Sequence, residues 1–271
     1  MQIIITTLVI SLVLSALLGF LLGVFKKMFH VPVDPTEADI RAVLPGANCG
    51  ACGFPGCDGL ASAIARGEAP ANACTVGGAS VAEAVGKIVG VNASAETVVA
   101  FLHCQGSKEV CLPKASYNGI RTCQAVKLSI NGLKLCDWAC IGYGDCEKAC
   151  PFDAIHMQED GLPHVDYSKC TGCGICVKEC PQMILSTVPA ARKGSAPLCS
   201  NRNTKKAQVI KDCKAGCIKC LKCEKVCPKQ CLKVINGIPV IDYALCDSCG
   251  ECVTNCPTKA LVLIEKIVKG V

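Results

Sequence analysis

The first long pattern in the chain is apolar: residues 3–25 contain no charged side chain, and Lys26 and Lys27 close the run. As a helix it is about 35 Å long, enough to cross the hydrocarbon layer of a bilayer. No basic residue precedes it, and it is long for the apolar stretch of a cleaved leader. It therefore reads as an anchor. Basic residues stay on the cytoplasmic side, which predicts a single pass through the inner (cytoplasmic) membrane. The N-terminus is then outside and everything after Lys26 faces the cytoplasm. Ser11, Ser15, Gly19 and Gly23 recur at every fourth position, a small-residue face suited to close contact with a partner membrane helix.

Beyond the anchor the periodicity changes several times. Pro32 and Pro35 mark residues 30–35 as a linker, because proline interrupts a helix. Residues 36–44 read as a short helix with Thr36 as N-cap and Glu37 and Asp39 in its first turn. Residues 59–66 and 80–89 have helical patterns, and residues 97–103, rich in β-branched and apolar side chains, read as a strand. Residues 104–135 show no clear period. From Cys136 the chain repeats itself. Cys136, Cys140, Cys146 and Cys150 align with Cys213, Cys217, Cys223 and Cys227, and Cys170, Cys173, Cys176 and Cys180 with Cys246, Cys249, Cys252 and Cys256. Between the two runs each copy has strand–turn–strand character, with Glu159-Asp160-Gly161 in one facing Asn236-Gly237 in the other. The expected order is an anchor (1–27), a small helical domain (28–95), a connecting segment (96–135), a first repeat (136–187), a basic linker (188–212) and a second repeat (213–271).

Composition then decides the chemistry. The chain has 271 residues and 26 cysteines. The charged fraction of 18% excludes intrinsic disorder, and 4% aromatics with Trp138 as the only tryptophan exclude a large aromatic-packed core. Cysteines on the reducing side of a membrane are poor disulfide candidates and good metal ligands. The spacing Cys-x2-Cys-x2-Cys-x3-Cys-Pro is the bacterial two-cluster ferredoxin pattern, whose fourth cysteine ligates the other cluster of the pair. Structural zinc sites instead pair Cys-x2-4-Cys with a separate pair or with His.

By that rule Cys217, Cys220, Cys223 and Cys256 form one 4Fe-4S site, and Cys227, Cys246, Cys249 and Cys252 another. In the first repeat, Cys150, Cys170, Cys173 and Cys176 form a third. The remaining loop departs from the pattern, because Tyr143 stands where the second repeat has Cys220. Cys136 is the natural substitute, giving Cys136, Cys140, Cys146 and Cys180; without it this would be a three-iron site. Cys49, Cys52, Cys57 and Cys74 form a different pattern that fits either zinc or one cluster. Five 4Fe-4S clusters are expected. A sixth would use Cys104, Cys111 and Cys123 with Cys199 or Cys213 as the fourth ligand, Cys199 being preferred. Cys213 otherwise looks spare, and Cys231, at the position of Ala154, reads as a buried small apolar residue. The formal charge of +6 falls to about −4 with five clusters of roughly −2 each, so the basic composition does not argue for nucleic acid.

The stretch Asn48-Cys-Gly-Ala-Cys-Gly-Phe-Pro-Gly-Cys57 with Cys74, set after an apolar helix and before ferredoxin repeats, resembles the B subunits of the Rnf complex, the membrane ferredoxin:NAD oxidoreductase that couples electron flow to Na+ or H+ translocation. The likeness covers essentially the whole chain. The Cys-Ile-Gly-Tyr-Gly-Asp-Cys segment at 140–146 and the second repeat resemble the longer form of the family. A similar cysteine module also occurs in corrinoid iron–sulfur proteins. The resemblance implies an α+β architecture: one transmembrane helix, a small helical 4Fe-4S domain and two tandem ferredoxin-like domains. It also implies that the chain takes electrons from reduced ferredoxin and passes them through the N-terminal cluster to the other membrane and peripheral subunits. Geometry gives the same order, because Cys49 follows Lys27 by some twenty residues and must stay near the membrane surface.

Residues 187–234 hold twelve Lys and Arg against Asp212 and Glu224. Such a stretch suits docking of an acidic soluble ferredoxin, or compensation of the cluster charge. No dinucleotide-binding glycine motif, P-loop or nucleophile–His constellation is present. His30, His103, His156 and His164 are scattered and read as structural or exposed. No catalytic residue is therefore assigned, and the chain contributes to an oxidoreductase without owning its NAD site. Two other readings compete with this one. The first is a membrane-anchored polyferredoxin of a hydrogenase or formate-type complex. The second is a zinc-binding nucleic-acid protein, whose only support is the basic linker.

Overall fold

The computed structural model describes residues 2–29 and 34–265. Most of the expected linker at 30–35, with His30, lies outside the described residues.

Helix α1 (Gln2–Met28) carries the apolar run with Lys26 and Lys27 in its last turn. It is long and apolar enough to cross a membrane, with a mean hydropathy of 2.7 and none of that stretch buried against the rest of the chain. Three helices follow: α2 (Pro35–Val43), α3 (Gly56–Ala65) and α4 (Gly78–Val89). The N-cap of α2 is Asp34, not Thr36: its Oδ1 accepts the Thr36 N–H at 2.8 Å. Pro35 starts the helix rather than blocking it, because a first-turn proline lacks only an N–H that would go unpaired anyway. Ile40, Leu60, Ala61, Ile64 and Val85 from the three helices form one core. The larger buried side chains, Ile40, Leu60, Ile64 and Val85, each contribute about 1.5–3 kcal/mol. Arg41 and Asp58 pair across α2 and α3 at 2.7 Å.

The remaining elements belong to two similar units. The first contains β1 (Val98–Leu102), α5 (Cys123–Ile130), α6 (Asp145–Lys148), β2 (Ile155–Met157), β3 (Pro163–Val165), α7 (Ile175–Glu179) and β4 (Leu185–Pro189). The second contains β5 (Ser195–Pro197), α8 (Lys206–Asp212), α9 (Lys222–Lys225), β6 (Leu232–Ile235), β7 (Ile238–Ile241), α10 (Glu251–Thr254) and β8 (Leu261–Leu263). Each unit has two antiparallel strand pairs: β2–β3 and β1–β4 in the first, β6–β7 and β5–β8 in the second.

The same anchoring bonds recur in both units. Glu147 accepts the Met157 N–H as Glu224 accepts that of Val234, each at 3.1 Å. The stretch read as a linker at 188–212 contains β5 and α8. Three-residue strands and a seven-residue helix are too short to show a period in the sequence.

Between the units lies a core of Val99, Phe101, Val188, Ala196 and Ile264, bordered by Tyr167 and Tyr243. His103 crosses this seam, with Nδ1 2.8 Å from the Pro197 carbonyl and Nε2 2.7 Å from Ser186 Oγ. Its burial holds the imidazole below its ordinary pKa.

Candidate metal centres

The cysteines gather into groups. Among the described residues no three His, Cys, Asp or Glu side chains converge tightly enough for a single metal ion. The sulfurs stand instead around cavities. Sites lined by four or five cysteines and no histidine, most of them on ferredoxin-type spacing, fit polynuclear iron–sulfur clusters better than zinc.

Site I, in the helical module, is a cavity lined by Cys49, Cys52, Cys57 and Cys74, with Gly50, Ala51 and Gly56 leaving room for the backbone to approach. Asn48 shapes its loop: Oδ1 accepts the Cys57 N–H at 2.8 Å, and the residue itself has positive φ. Burial pushes the Cys74 thiol up, against hydrogen bonds from the Gly77 and Val76 backbone.

Site II overturns one expectation. The cavity holds Cys140, Cys146 and Cys180, but its fourth cysteine is Cys123, not Cys136. Cys123 opens α5. That helix is capped by Thr122, whose Oγ1 accepts the Ala125 N–H at 3.2 Å. It is tied to the opposite loop by the Gln124 N–H on Asp145 Oδ2 at 3.1 Å. Val126, fully buried against Cys123 and Ile141, seats it. Leu102, Ile141, Met157, Ile184 and Leu185 supply apolar wall, and Asp145, Glu179 and Gln182 also line the cavity. Thr122 followed by apolar positions was the available signal, though a short one. Burial raises Cys140 and pushes Cys146 up to about 12.

Site III brings Cys150, Cys170 and Cys173 around Cys176; burial first, then these neighbours, push the Cys176 thiol up to about 12. Strand β1 covers this loop, and the Ala100 N–H reaches Cys170 Sγ at 3.3 Å. Gly172 faces the Val98 carbonyl so closely that a Cβ would lie 2.1 Å from it.

Site IV is lined by Cys217, Cys220, Cys223 and Cys256. Site V is lined by Cys227, Cys246, Cys249 and Cys252 together with Cys231, whose sulfur is 3.5 Å from that of Cys227. Cys231 is thus buried as expected but borders the cavity. Sites IV and V share the core of Leu232, Ile241 and Leu261.

One further cavity brings Cys104, Cys136, Cys199 and Cys213 together. Of the set Cys104, Cys111, Cys123 and Cys199, the structure unites Cys104 with Cys199, sends Cys123 to site II, and puts Cys111 beside Cys213, its Sγ donating to the Asp212 carbonyl at 3.4 Å. Cys213, read as spare from the sequence, lines this cavity. Burial pushes Cys136 up to about 12. Lys134, only 8% exposed, donates to the Gly106 carbonyl at 2.6 Å, and its ammonium favours ionisation of Cys104 and Cys140.

Neutral thiols raised by burial and by each other make poor anions. A cationic metal core reverses both effects. Together with N–H donors to sulfur and walls of small or apolar residues, this donor set fits iron–sulfur clusters.

Comparison with known proteins agrees. A family model described as "Putative Fe-S cluster" matches residues 44–76, one described as "4Fe-4S dicluster domain" matches 139–184, and one described as "4Fe-4S binding domain" matches 238–261. The chain is 42% identical over 237 residues to the B subunit of the Na(+)-translocating ferredoxin:NAD(+) oxidoreductase complex of Acetobacterium woodii, covering 87% of this chain and 70% of that one. It is 37% identical to the B subunit of the ion-translocating oxidoreductase complex of Methanosarcina acetivorans, covering 88% and 89% of the two chains. It is 39% identical to the B subunit of the proton-translocating ferredoxin:NAD(+) oxidoreductase complex of Clostridium ljungdahlii, covering 90% and 86%. The chain belongs to the B subunits of ion-translocating oxidoreductase complexes. As one of them it is an α+β iron–sulfur electron-transfer component of a multi-subunit, membrane-associated oxidoreductase.

Proposed function

We propose that this chain accepts electrons from reduced ferredoxin at its second ferredoxin-like unit and delivers them through site I to membrane subunits. The complex would couple transfer to NAD+ with translocation of Na+ or H+. The ligands proposed for the five 4Fe-4S clusters are those of sites I to V, with Cys123 in place of Cys136. A bound cluster of this kind takes up and releases one electron at a time.

The observation that carries the reading is the order of the sites. Cys220 and Cys249, at sites IV and V, are the exposed cysteines. At the other end, Cys49 of site I lies near enough to Cys173 of site III to raise its thiol pKa, and the Lys178 ammonium donates to the Ala51 carbonyl at 3.3 Å. Sites II and III adjoin through Cys146 and Cys176. Site I follows α1 directly in sequence, so the row runs from solvent toward the anchor.

The chain's own residues do the rest. Backbone N–H groups aimed at sulfur, such as Ala154 on Cys150 and Ala260 on Cys256, favour the extra negative charge of the reduced state. Apolar walls exclude water. The exposed Lys205, Lys206, Lys211, Lys214, Lys222, Lys225 and Lys229 surround the far end with positive charge that suits an acidic donor. Lys26 and Lys27 at the end of α1 support a topology with the cluster domains on the cytoplasmic face of the inner membrane and the N-terminus outside. On this reading the basic charge serves the clusters and the acidic donor rather than a nucleic acid.

Two measurements test this. In the intact complex, Cys49→Ser should leave reduction of the remaining clusters by ferredoxin intact and abolish ferredoxin-dependent NAD+ reduction; continued NAD+ reduction would remove site I from the route. Changing Lys205, Lys206 and Lys211 to Gln should slow reduction by ferredoxin several-fold at low salt and flatten its salt dependence. An unchanged low-salt rate would remove the docking surface.

A further inference from the structure

The two units repeat more than their cysteine runs. Leu185 and Leu261 each stand five residues after the last cysteine of their unit. In the strand pairs, Leu185 lies opposite Leu102 and Leu261 opposite Pro197. Leu102 and Pro197 are therefore equivalent, and so are Cys104 and Cys199, two residues further on in each unit. Cys136 and Cys213 are equivalent by their common distance from Cys140 and Cys217.

These are the four cysteines of the remaining cavity. Cys104 and Cys199 pair as an antiparallel bridge, an arrangement that relates its two residues by a local two-fold axis. The surroundings repeat across it. The Cys140 backbone N–H bonds Cys104 Sγ, and the Cys217 N–H bonds Cys199 Sγ at 3.2 Å. Trp138 and Ala215, two residues after Cys136 and Cys213, offer their N–H groups to those sulfurs.

The structure assigns Cys104, Cys136, Cys199 and Cys213 as the ligands of a sixth iron–sulfur cluster, two from each unit, on the internal two-fold between sites II and IV. This assignment rests on the iron–sulfur reading above. All four cysteines are buried to the same degree, each 8% exposed. Side-chain and backbone donors serve the sulfurs: the Gly106 N–H is 3.4 Å from Cys104 Sγ, and Asn201 Nδ2 is 3.3 Å from Cys136 Sγ. Lys134 brings a buried positive charge, and none of the ion pairs among the described residues includes it. A four-thiolate cluster of net negative charge is the counter-ion this ammonium lacks. Cys111 is paired across an antiparallel bridge with Cys213 and lies beside its sulfur, but it does not line the cavity, and its Sγ donates to the Asp212 carbonyl at 3.4 Å.

The place of this site gives it a role. Sites II and III belong to one unit and IV and V to the other. Cys140 is both a site II cysteine and a donor to Cys104, and Cys217 is both a site IV cysteine and a donor to Cys199. The shared site thus joins two cluster pairs that would otherwise end at the seam.

The test is an iron and labile-sulfide count on the full chain, with electron paramagnetic resonance of the reduced protein, in wild type and in Cys104→Ser, Cys213→Ser and Cys111→Ser. At four iron per site the wild type should hold about 24 iron. Cys104→Ser and Cys213→Ser should each lose between one and four of these irons, holding about 20–23, and lack the same spectral component, while Cys111→Ser should keep the full count. The two single variants fall in different units, so misfolding of one unit would not remove a common component from both. A wild-type count near 20, an unchanged count in either variant, loss of different components, or loss of more than four iron in both overturns the sixth site and leaves sites I to V standing. A wild-type chain free of iron overturns the iron–sulfur reading itself.

Discussion

Exchanging Cys123 and Cys136 between their sites is the sharpest consequence of the fold, and serine substitutions separate the two assignments. Cys180 belongs to site II and Cys199 to the shared cavity, so their serine variants provide reference spectra. Cys123→Ser should lose the component that Cys180→Ser loses, and Cys136→Ser the component that Cys199→Ser loses. The size of the change follows from the ligand count. Removing one of four thiolates releases between one iron, leaving a three-iron site, and all four, out of about 24. The fold should survive Cys123→Ser, because α5 keeps its Thr122 cap, its bond to Asp145 and the buried Val126. These hold the helix by about 1 kcal/mol for the cap and about 1.5–3 kcal/mol for the valine. The assay is anaerobic reconstitution, iron and sulfide analysis, and electron paramagnetic resonance at graded potentials. If Cys123→Ser keeps its whole complement while Cys136→Ser loses the component shared with Cys180→Ser, the role assigned to α5 is wrong.

Three further outcomes are expected. Ile40→Ala empties the centre of the helical module, where the side chain is fully buried, and should cost about 2–5 kcal/mol; an unchanged denaturant midpoint for site I release would contradict this. Gly172→Ala places a Cβ 2.1 Å from the Val98 carbonyl at φ +67. It should pry β1 from the site III loop, lowering the iron content by up to about four per chain or the melting temperature of the holoprotein; if neither moves, the close approach is unimportant. Lys134→Met should lower the reduction potential of the cluster nearest Cys104, because a buried positive charge favours the more negative reduced form. Lys134→Arg should restore most of it, and a redox titration that superimposes on wild type in the methionine variant would rule out electrostatic tuning.

Much of the site chemistry was legible because it is local. Three cysteines within seven residues, spaced by glycines, can wrap one cluster with little help from the rest of the chain, so Cys170, Cys173 and Cys176, or Cys246, Cys249 and Cys252, could be grouped by spacing alone. Asn48 and Gly56 shape the Cys49–Cys57 turn in the same local way. The duplicated runs also placed Cys180 and Cys256 by rule. Where a ligand arrives from outside its run, spacing loses its hold. Tyr143 removed one local ligand, and sequence distance favoured Cys136, four residues from Cys140, over Cys123, seventeen away.

The apolar anchor, the iron–sulfur chemistry and the doubling of the ferredoxin unit are all written in one dimension, because length, spacing and repetition are properties of neighbours along the chain. The choice between Cys123 and Cys136, the strands inside the basic stretch, and the cavity that draws two cysteines from each unit arise only on folding. They depend on strands β4 and β8 finding β1 and β5, and on a short helix docking through one buried valine. Contacts between residues nearly a hundred positions apart, such as Cys104 with Cys199, are set by packing and hydrogen-bond register, and neither leaves a period in the sequence.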